Sequence, residues 1–352
     1  MFRRNRESKL PDLEGVPFGN LLEVKDLAVE FNTDYGTVNA VNGINYTVDA
    51  GESLAILGES GSGKTVSALA IMGLIEKPGR IASGEILYKG VNLLTLADSE
   101  RRAVRGAEIA MIFQDALSAL NPVFTVGDQI AEMFQVHRGM GKKDAMRKAL
   151  ELMDRVRIPS AKERLRDYPH QFSGGMRQRV MIAIGIALEP TILIADEPTT
   201  ALDVTVQAQI MELLADIQQE TQMGMILITH DLGVVAEVAN NVCVMYAGKL
   251  VEKASAGAIY QSPAHPYTER LMASIPRITQ KGGRLDPIKG APPSLMNIPV
   301  GCPFHPRCPR ARIPDPCRTE VPPLREVIDQ RFAACHFAEE VLAEEGVEVV
   351  AT

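Results

Sequence analysis

The chain has 352 residues, 46% of them hydrophobic, and a formal net charge of -7. That composition supports one large domain with a smaller one beside it, and the acidic balance, without a long Lys/Arg block, argues against nucleic acid as a partner. The most apolar windows, Val180–Leu188 and Ile192–Ala195, are closed by Glu189, Pro190 and Asp196. They are far short of a bilayer span, so any membrane the protein serves is crossed by another chain.

Residues 1–20 open with "MFRRNRESKLPDLEG", basic but with no apolar stretch behind, which reads as a solvated tail and not a secretory signal or an anchor. From Leu21, short apolar segments alternate with turn signals: "LLEVKDLAVEF", "INYTV", "SLAILG", "GEILY" and "IAMIF". These read as strands, with Gly51 and Gly84 as punctuation. Between about Thr125 and Arg166 the period becomes helical, with Ala149, Leu150, Leu152, Met153 and Val156 on one face. Strands return as "TILIAD", "GMILITH" and "NVCVMYAGKLVE", the first two separated by a long helical segment, "DVTVQAQIMELLADIQQET". Continuous apolar runs flanked by helices predict buried parallel strands in an α/β fold. After about Gln261 proline density rises, in "SPAHPY", "APPS" and "NIPVGCPFHPRCPR", marking a C-terminal appendage. No internal repeat is evident.

Chemistry concentrates in five places. "GESGSGKT", from Gly58 through Glu59, Ser60, Gly61, Ser62 and Gly63 to Lys64 and Thr65, follows a strand and opens a helix. In that pattern glycines let main-chain N–H groups wrap phosphates, Lys64 reaches the outer phosphates and Thr65 offers a hydroxyl to Mg²⁺. "TILIADEPTTALD" ends an apolar strand on Asp196 and Glu197, the first suited to Mg²⁺ and the second to orienting or deprotonating an attacking water. Gln114 after "IAMIF" and His230 after "MILIT" also end strands, and both are expected to face the γ-phosphate. In "YPHQFSGGMRQRV", Ser173, Gly174 and Gly175 open a helix whose free N–H groups form a second anion site.

These residues resemble the nucleotide-binding subunits of ATP-binding-cassette transporters: "GESGSGKT" is similar to their Walker A, "ILIADE" to Walker B, Gln114 to the Q-loop, "FSGGMRQR" to the signature, "TTALD" with Asp203 to the D-loop and His230 to the switch histidine. The resemblance implies a P-loop, RecA-like ATPase core with an antiparallel β subdomain and a helical subdomain over about 115–175, the whole spanning 21–260. It implies that two subunits pack head to tail, so that Ser173, Gly174, Gly175 and Asp203 meet ATP held by the partner. It implies Mg²⁺ at Thr65, Gln114 and Asp196, and Glu197, His230 and Gln114 as the catalytic set. The adenine-stacking ring is expected at Tyr35, with Phe31 as competitor. Phe172 and Met176 stand where the commonest signature has Leu and Gln.

The appendage, 261–352, is similar to the tail of dipeptide and oligopeptide importer ATPases, closest to the dipeptide type, in "SPAHPYTERLMASIP", "GCPFHPRCPRA", "PC" and "ACH". Four of the five cysteines lie here: Cys302, Cys308, Cys317 and Cys335, separated by five, eight and seventeen residues. The fifth, Cys243, reads as a buried core thiol. Four thiols in a proline-stiffened, core-poor segment suggest a metal-closed fold. The resemblance implies a four-iron four-sulfur cluster, with zinc, using His305 or His336 as substitute ligands, or free thiols as the open alternatives.

The reading is an ATPase at the cytoplasmic face of a cell membrane that energises peptide import. Its implied partners are a second ATPase, expected to be a paralogue, two permease subunits and, indirectly, an extracytoplasmic peptide-binding protein. The alternatives are an importer of nickel, glutathione or oligosaccharide, a non-transport cassette ATPase, or a metal or redox module on an inactive ATPase. The second would want long coiled coils or two cassettes, and Glu197 and His230 argue against the third.

Overall fold

The computed structural model describes residues 19–274 and 288–347; of the expected N-terminal tail, residues 1–18 lie outside them. Twelve strands occur among the described residues: β1 (Leu22–Thr33), β2 (Gly36–Val48), β3 (Ser53–Leu57), β4 (Gly79–Tyr88), β5 (Val91–Asn92), β6 (Ile109–Ile112), β7 (Ile192–Asp196), β8 (Gly224–Ile228), β9 (Asn241–Tyr246), β10 (Lys249–Ser255), β11 (Arg325–Ile328) and β12 (Arg331–Ala333). They fall into two compact units, one built on Leu22–Thr47, Ser53–Tyr88 and the chain from Ile228 onward, the other on Val48–Glu52 and Lys89–Leu227. No helix among the described residues is long and apolar enough to cross a membrane.

In the first unit, β1 lies between β2 and β4 and pairs with β4 antiparallel, from Leu22↔Tyr88 to Phe31↔Gly79. The buried side chains of β1 are Leu22, Val24, Leu27 and Val29, an alternation that slips phase in the middle. A register shift between Lys25 and Ala28 accounts for it. An extra residue in one strand turns the following side chains to the opposite face, which keeps all four apolar residues on the core side. Asp26 sits at that bulge with φ 44, and opposite it Gly84 is obligatory, since a Cβ there would stand 2.6 Å from the Asp26 carbonyl oxygen.

A second set of strands in this unit runs β11-β12-β10-β9-β3. β3 and β9 are parallel, Leu54↔Asn241 to Leu57↔Val244. β3 is buried throughout and β9 nearly so, as the continuous apolar runs predict. Cys243 is fully buried in β9. β10 returns antiparallel, and the appendage then adds two strands, Glu252↔Ala333 joining β12 to β10. Beneath this junction Glu252 is wholly buried, its carboxylate accepting from the backbone N–H of Ala264 at 2.6 Å and of His265 at 3.0 Å. Burial outweighs those bonds and pushes its pKa up to about 7, while burial pushes His265 down to about 3.

In the other unit the order is β8-β7-β6, with β6 and β7 parallel, Ile109↔Ile192 to Ile112↔Ala195. The predicted helical insert forms as Val126–Arg138 and Lys142–Arg155. Thr125 caps the first, accepting from the Asp128 N–H at 3.2 Å, and Gly139 ends it with φ 64. Ile130, Ala131, Ala145, Ala149 and Met153 are fully buried between these helices and Gly174–Ile186, the narrow apolar face that the spacing specifies. Fully burying side chains of this size contributes about 1.5–3 kcal/mol each for the larger ones.

Candidate nucleotide site

The phosphate loop leaves the C-terminal end of β3 and opens the helix Lys64–Ile71, the place where parallel strands present loops to ligands. Its glycines answer to backbone packing as well as to phosphate. At Gly58 (φ +152) a Cβ would lie 2.3 Å from the Met245 carbonyl, and at Gly63 (φ +103) 2.2 Å from that of Ala40, so neither position accepts a side chain. Lys64 is 6% exposed, its Nζ donating to the carbonyls of Gly58 at 2.8 Å and Glu59 at 3.0 Å. Ser62 Oγ is buried with no hydrogen-bond partner, a polar atom that a bound phosphate would satisfy. Thr65 is exposed in the first turn of that helix. A cavity beside the loop is lined by Val38, Ser60, Gly61 and Ser62, and on another side by Pro292–Met296 of the appendage.

Tyr35 lies in the β1–β2 turn and is 88% exposed, so its ring is available for stacking. Phe31 is committed elsewhere, since its ring fills the space where a Gly79 side chain would stand. His230 is exposed just beyond β8.

In the other unit β7 delivers Asp196, 2% exposed, and Glu197 directly after it. Glu197 has φ 44, a left-handed conformation that costs a non-glycine residue of order 1–3 kcal/mol and recurs where a side chain must be aimed. Its Oε2 accepts from Gln114 Nε2 at 2.9 Å and from Thr200 Oγ1 at 2.7 Å. The structure therefore brings Gln114 and Glu197, 83 residues apart, into contact. The sequence reading missed Thr200; its signal was a hydroxyl three residues beyond the strand-ending acid. A carboxylate held by two donors is fixed in orientation, as a group that must meet one water needs to be.

Ser173 caps the 13-residue helix Gly174–Ile186, accepting from the Met176 N–H. Ser173 and Gly174 are exposed, leaving the helix start open to an anion. Gly175 has a packing reason too: a Cβ would lie 2.5 Å from Val206 Cγ1. The departures in the signature fit locally, since Phe172 is buried with the Arg164 guanidinium 5.6 Å from its ring, and Met176 contributes its backbone N–H to the cap. Asp203 caps the helix Val204–Thr221, accepting from the Val206 N–H at 3.0 Å.

Cys302, Cys308, Cys317 and Cys335 carry free thiols and line one small cavity. Burial, with the neighbouring thiols adding to it, pushes Cys308 up to about 11 and Cys335 up to about 12, and raises Cys302. By number and softness the donors suit a thiolate-ligated metal. Among the described residues, however, no three His, Cys, Asp or Glu side chains form a group that could hold one metal ion. The expected substitutes His305 and His336 also line the cavity, each with a ring nitrogen against a backbone carbonyl, that of Cys302 at 2.9 Å and of Glu320 at 3.1 Å.

Comparison with known proteins agrees with this geometry. The family described as ABC transporter matches residues 41–200, and that described as oligopeptide/dipeptide transporter, C-terminal region, matches residues 251–317. The dipeptide transport ATP-binding protein DppD of Bacillus subtilis is 52% identical over 294 residues, 83% of this chain and 88% of that protein. DppD of Escherichia coli is 50% identical over 317 residues, 90% and 96% of the two chains. The oligopeptide transport ATP-binding protein OppD of Salmonella typhimurium is 48% identical over 319 residues, 91% and 94%. Among solved structures, the dimeric cassette MJ0796 in a post-hydrolysis state bound to ADP and Pi superposes with a TM-score of 0.61 at 26% identity, covering 67% of this chain and 98% of that one. With the phosphate loop, the oriented carboxylate, the capped signature helix and the thiol-lined appendage all in place, the chain belongs to the ATP-binding subunits of the dipeptide and oligopeptide ABC transporters.

Proposed function

We propose that the chain hydrolyses ATP to energise the import of dipeptides or oligopeptides through separate permease subunits. The observation that carries this is identity of about half the residues to dipeptide transport ATP-binding proteins over nine tenths of the chain, continuing into the C-terminal region. Tyr35 stacks on adenine, Gly58 to Thr65 wrap the phosphates, and Thr65, Gln114 and Asp196 hold Mg²⁺. Glu197 takes up a proton from the attacking water, oriented by Gln114 and Thr200, while His230 holds the γ-phosphate. Ser173, Gly174, Gly175 and Asp203 complete the site of a partner ATPase, a paralogue, so that ATP joins the pair and hydrolysis releases it. An extracytoplasmic binding protein delivers peptide, which never touches this chain, and the assembly places the chain at the cytoplasmic face of the membrane.

The test is uptake of a labelled dipeptide by cells lacking this chain and by cells in which it is restored. Restoration returns uptake, and unlabelled di- and oligopeptides compete. Uptake indifferent to the deletion, or competition by nickel, glutathione or oligosaccharide and not by peptides, would overturn the assignment.

The finer reading of the appendage is that Cys302, Cys308, Cys317 and Cys335 hold a four-iron four-sulfur cluster with a structural role. What supports it is that all four thiols line one cavity, in a tail that resembles those of the dipeptide and oligopeptide importer ATPases and matches their C-terminal region over residues 251–317; zinc stays the alternative. Anaerobically purified protein is expected to contain iron and sulfide and to absorb in the visible, both lost in Cys308→Ser. Colourless protein with stoichiometric zinc, or without metal, rules the cluster out.

A further inference from the structure

The appendage also reaches the phosphate loop, through an arginine. Arg307 lies in the single turn His305–Arg307, between Cys302 and Cys308, and its side chain is 6% exposed. Its Nη1 and Nη2 meet the two carboxylate oxygens of Glu59 at 2.6 and 2.9 Å. Nη1 also donates to the Tyr246 hydroxyl at 3.3 Å, and Nε to the Lys289 carbonyl at 3.2 Å. Two parallel bonds between guanidinium and carboxylate fix orientation as well as charge.

Glu59 is the second residue of the phosphate loop and is held at every polar group that matters to it. Its N–H donates to the Tyr267 hydroxyl at 2.9 Å, and its carbonyl accepts from Lys64 Nζ at 3.0 Å. Tyr267 in turn packs with Tyr246 and with Phe304 of the appendage, ring centroids 4.7 and 5.3 Å away. Two residues C-terminal to Cys302, Phe304 is fully buried, which anchors the turn carrying Arg307.

A carboxylate in a loop that must receive a polyphosphate is a liability, because like charge at short range opposes binding. We infer that Arg307 is a positioning residue of the phosphate loop: it pairs with the Glu59 carboxylate, turns it out of the anion's way, and so sets the backbone that Lys64 uses. The inference rests on the nucleotide-binding reading and adds a role for the appendage in it. Arg307 acts on the loop through Glu59, the loop residue it holds.

The experiment measures kcat and KM for ATP–Mg²⁺ in the assembled transporter, with ATP binding to the full-length chain, for wild type, Lys64→Ala, Arg307→Ala, Arg307→Lys and Arg307→Ala/Glu59→Gln. Arg307→Ala is expected to raise KM about tenfold with kcat within about twofold, the effect of uncovering one charge at a rim without touching the chemistry. Arg307→Lys, which keeps charge but not the paired geometry, falls between. The double variant lowers KM at least about threefold from the Arg307→Ala value, because it removes the carboxylate that Arg307 masks. A merely structural role would not be relieved by neutralising Glu59. On a background where wild type binds ATP and Lys64→Ala binds it more weakly, an unchanged KM in Arg307→Ala, or a defect undiminished in the double variant, overturns the inference alone. Wild-type protein that fails to bind ATP overturns the nucleotide reading with it.

Discussion

Lys64→Ala is expected to weaken ATP binding by about 10- to 10²-fold, the loss of a hydrogen bond to a charged group at about 1.5–3 kcal/mol. The buried ammonium already sits among oxygens, donating to the carbonyls of Gly58 and Glu59, and arriving phosphates present it with stronger acceptors at little cost in side-chain entropy. Alanine leaves those two carbonyls without their donor, which costs stability of order 1–3 kcal/mol, so thermal melting belongs beside the binding measurement. Titration with ATP–Mg²⁺ checks the prediction. Undiminished affinity in a folded variant would mean that Gly58 to Thr65 are a structural turn only, since Gly58 and Gly63 have packing reasons of their own.

Much of the nucleotide machinery was legible because local pattern and chemistry coincide in it. A buried parallel strand, a glycine loop and a helix start follow one another in "SLAILGESGSGKT", and β3, the loop and the helix from Lys64 form where that pattern puts them. Glu197 and Gln114 were legible as strand-ending polar residues. Their mutual contact was not, because an 83-residue separation leaves no local trace. β2 begins at Gly36, well before the predicted "INYTV", since Asn42 and Gly43 interrupt the apolar alternation that marks a strand.

The appendage was the least legible. Its prolines advertise irregular chain, yet Arg331–Ala333 pair with β10, an edge pairing set by tertiary packing and not by propensity. The Arg307–Glu59 pair spans 248 residues and joins two segments that read as unrelated. Cysteine spacing indicated a common task for four thiols and could not say how closely they approach. Gly175 shows the converse: a glycine read for its anion-binding backbone is also required by Val206.

Glu197→Gln is expected to bind ATP as wild type does and to lower hydrolysis at this chain's own site by about 10²- to 10⁴-fold, the contribution of a positioned general base. An amide oxygen can accept the same bonds that Gln114 and Thr200 donate to the carboxylate, so the strained backbone at φ 44 and the neighbouring Asp196 stay in place. What is lost is the ability to take a proton from water. With binding intact and hydrolysis blocked, ATP is expected to remain at the site, and on the proposed mechanism to keep the two ATPases joined.

The most direct measurement is single-turnover hydrolysis of ATP–Mg²⁺ by the assembled transporter carrying Glu197→Gln, with nucleotide retained on the protein identified after rapid separation. The proposed mechanism predicts that at least the ATP at this chain's site is recovered unhydrolysed on a closed pair. Hydrolysis of all bound ATP at the wild-type rate would contradict the account, because it would leave the oriented carboxylate after β7 without a part in the reaction.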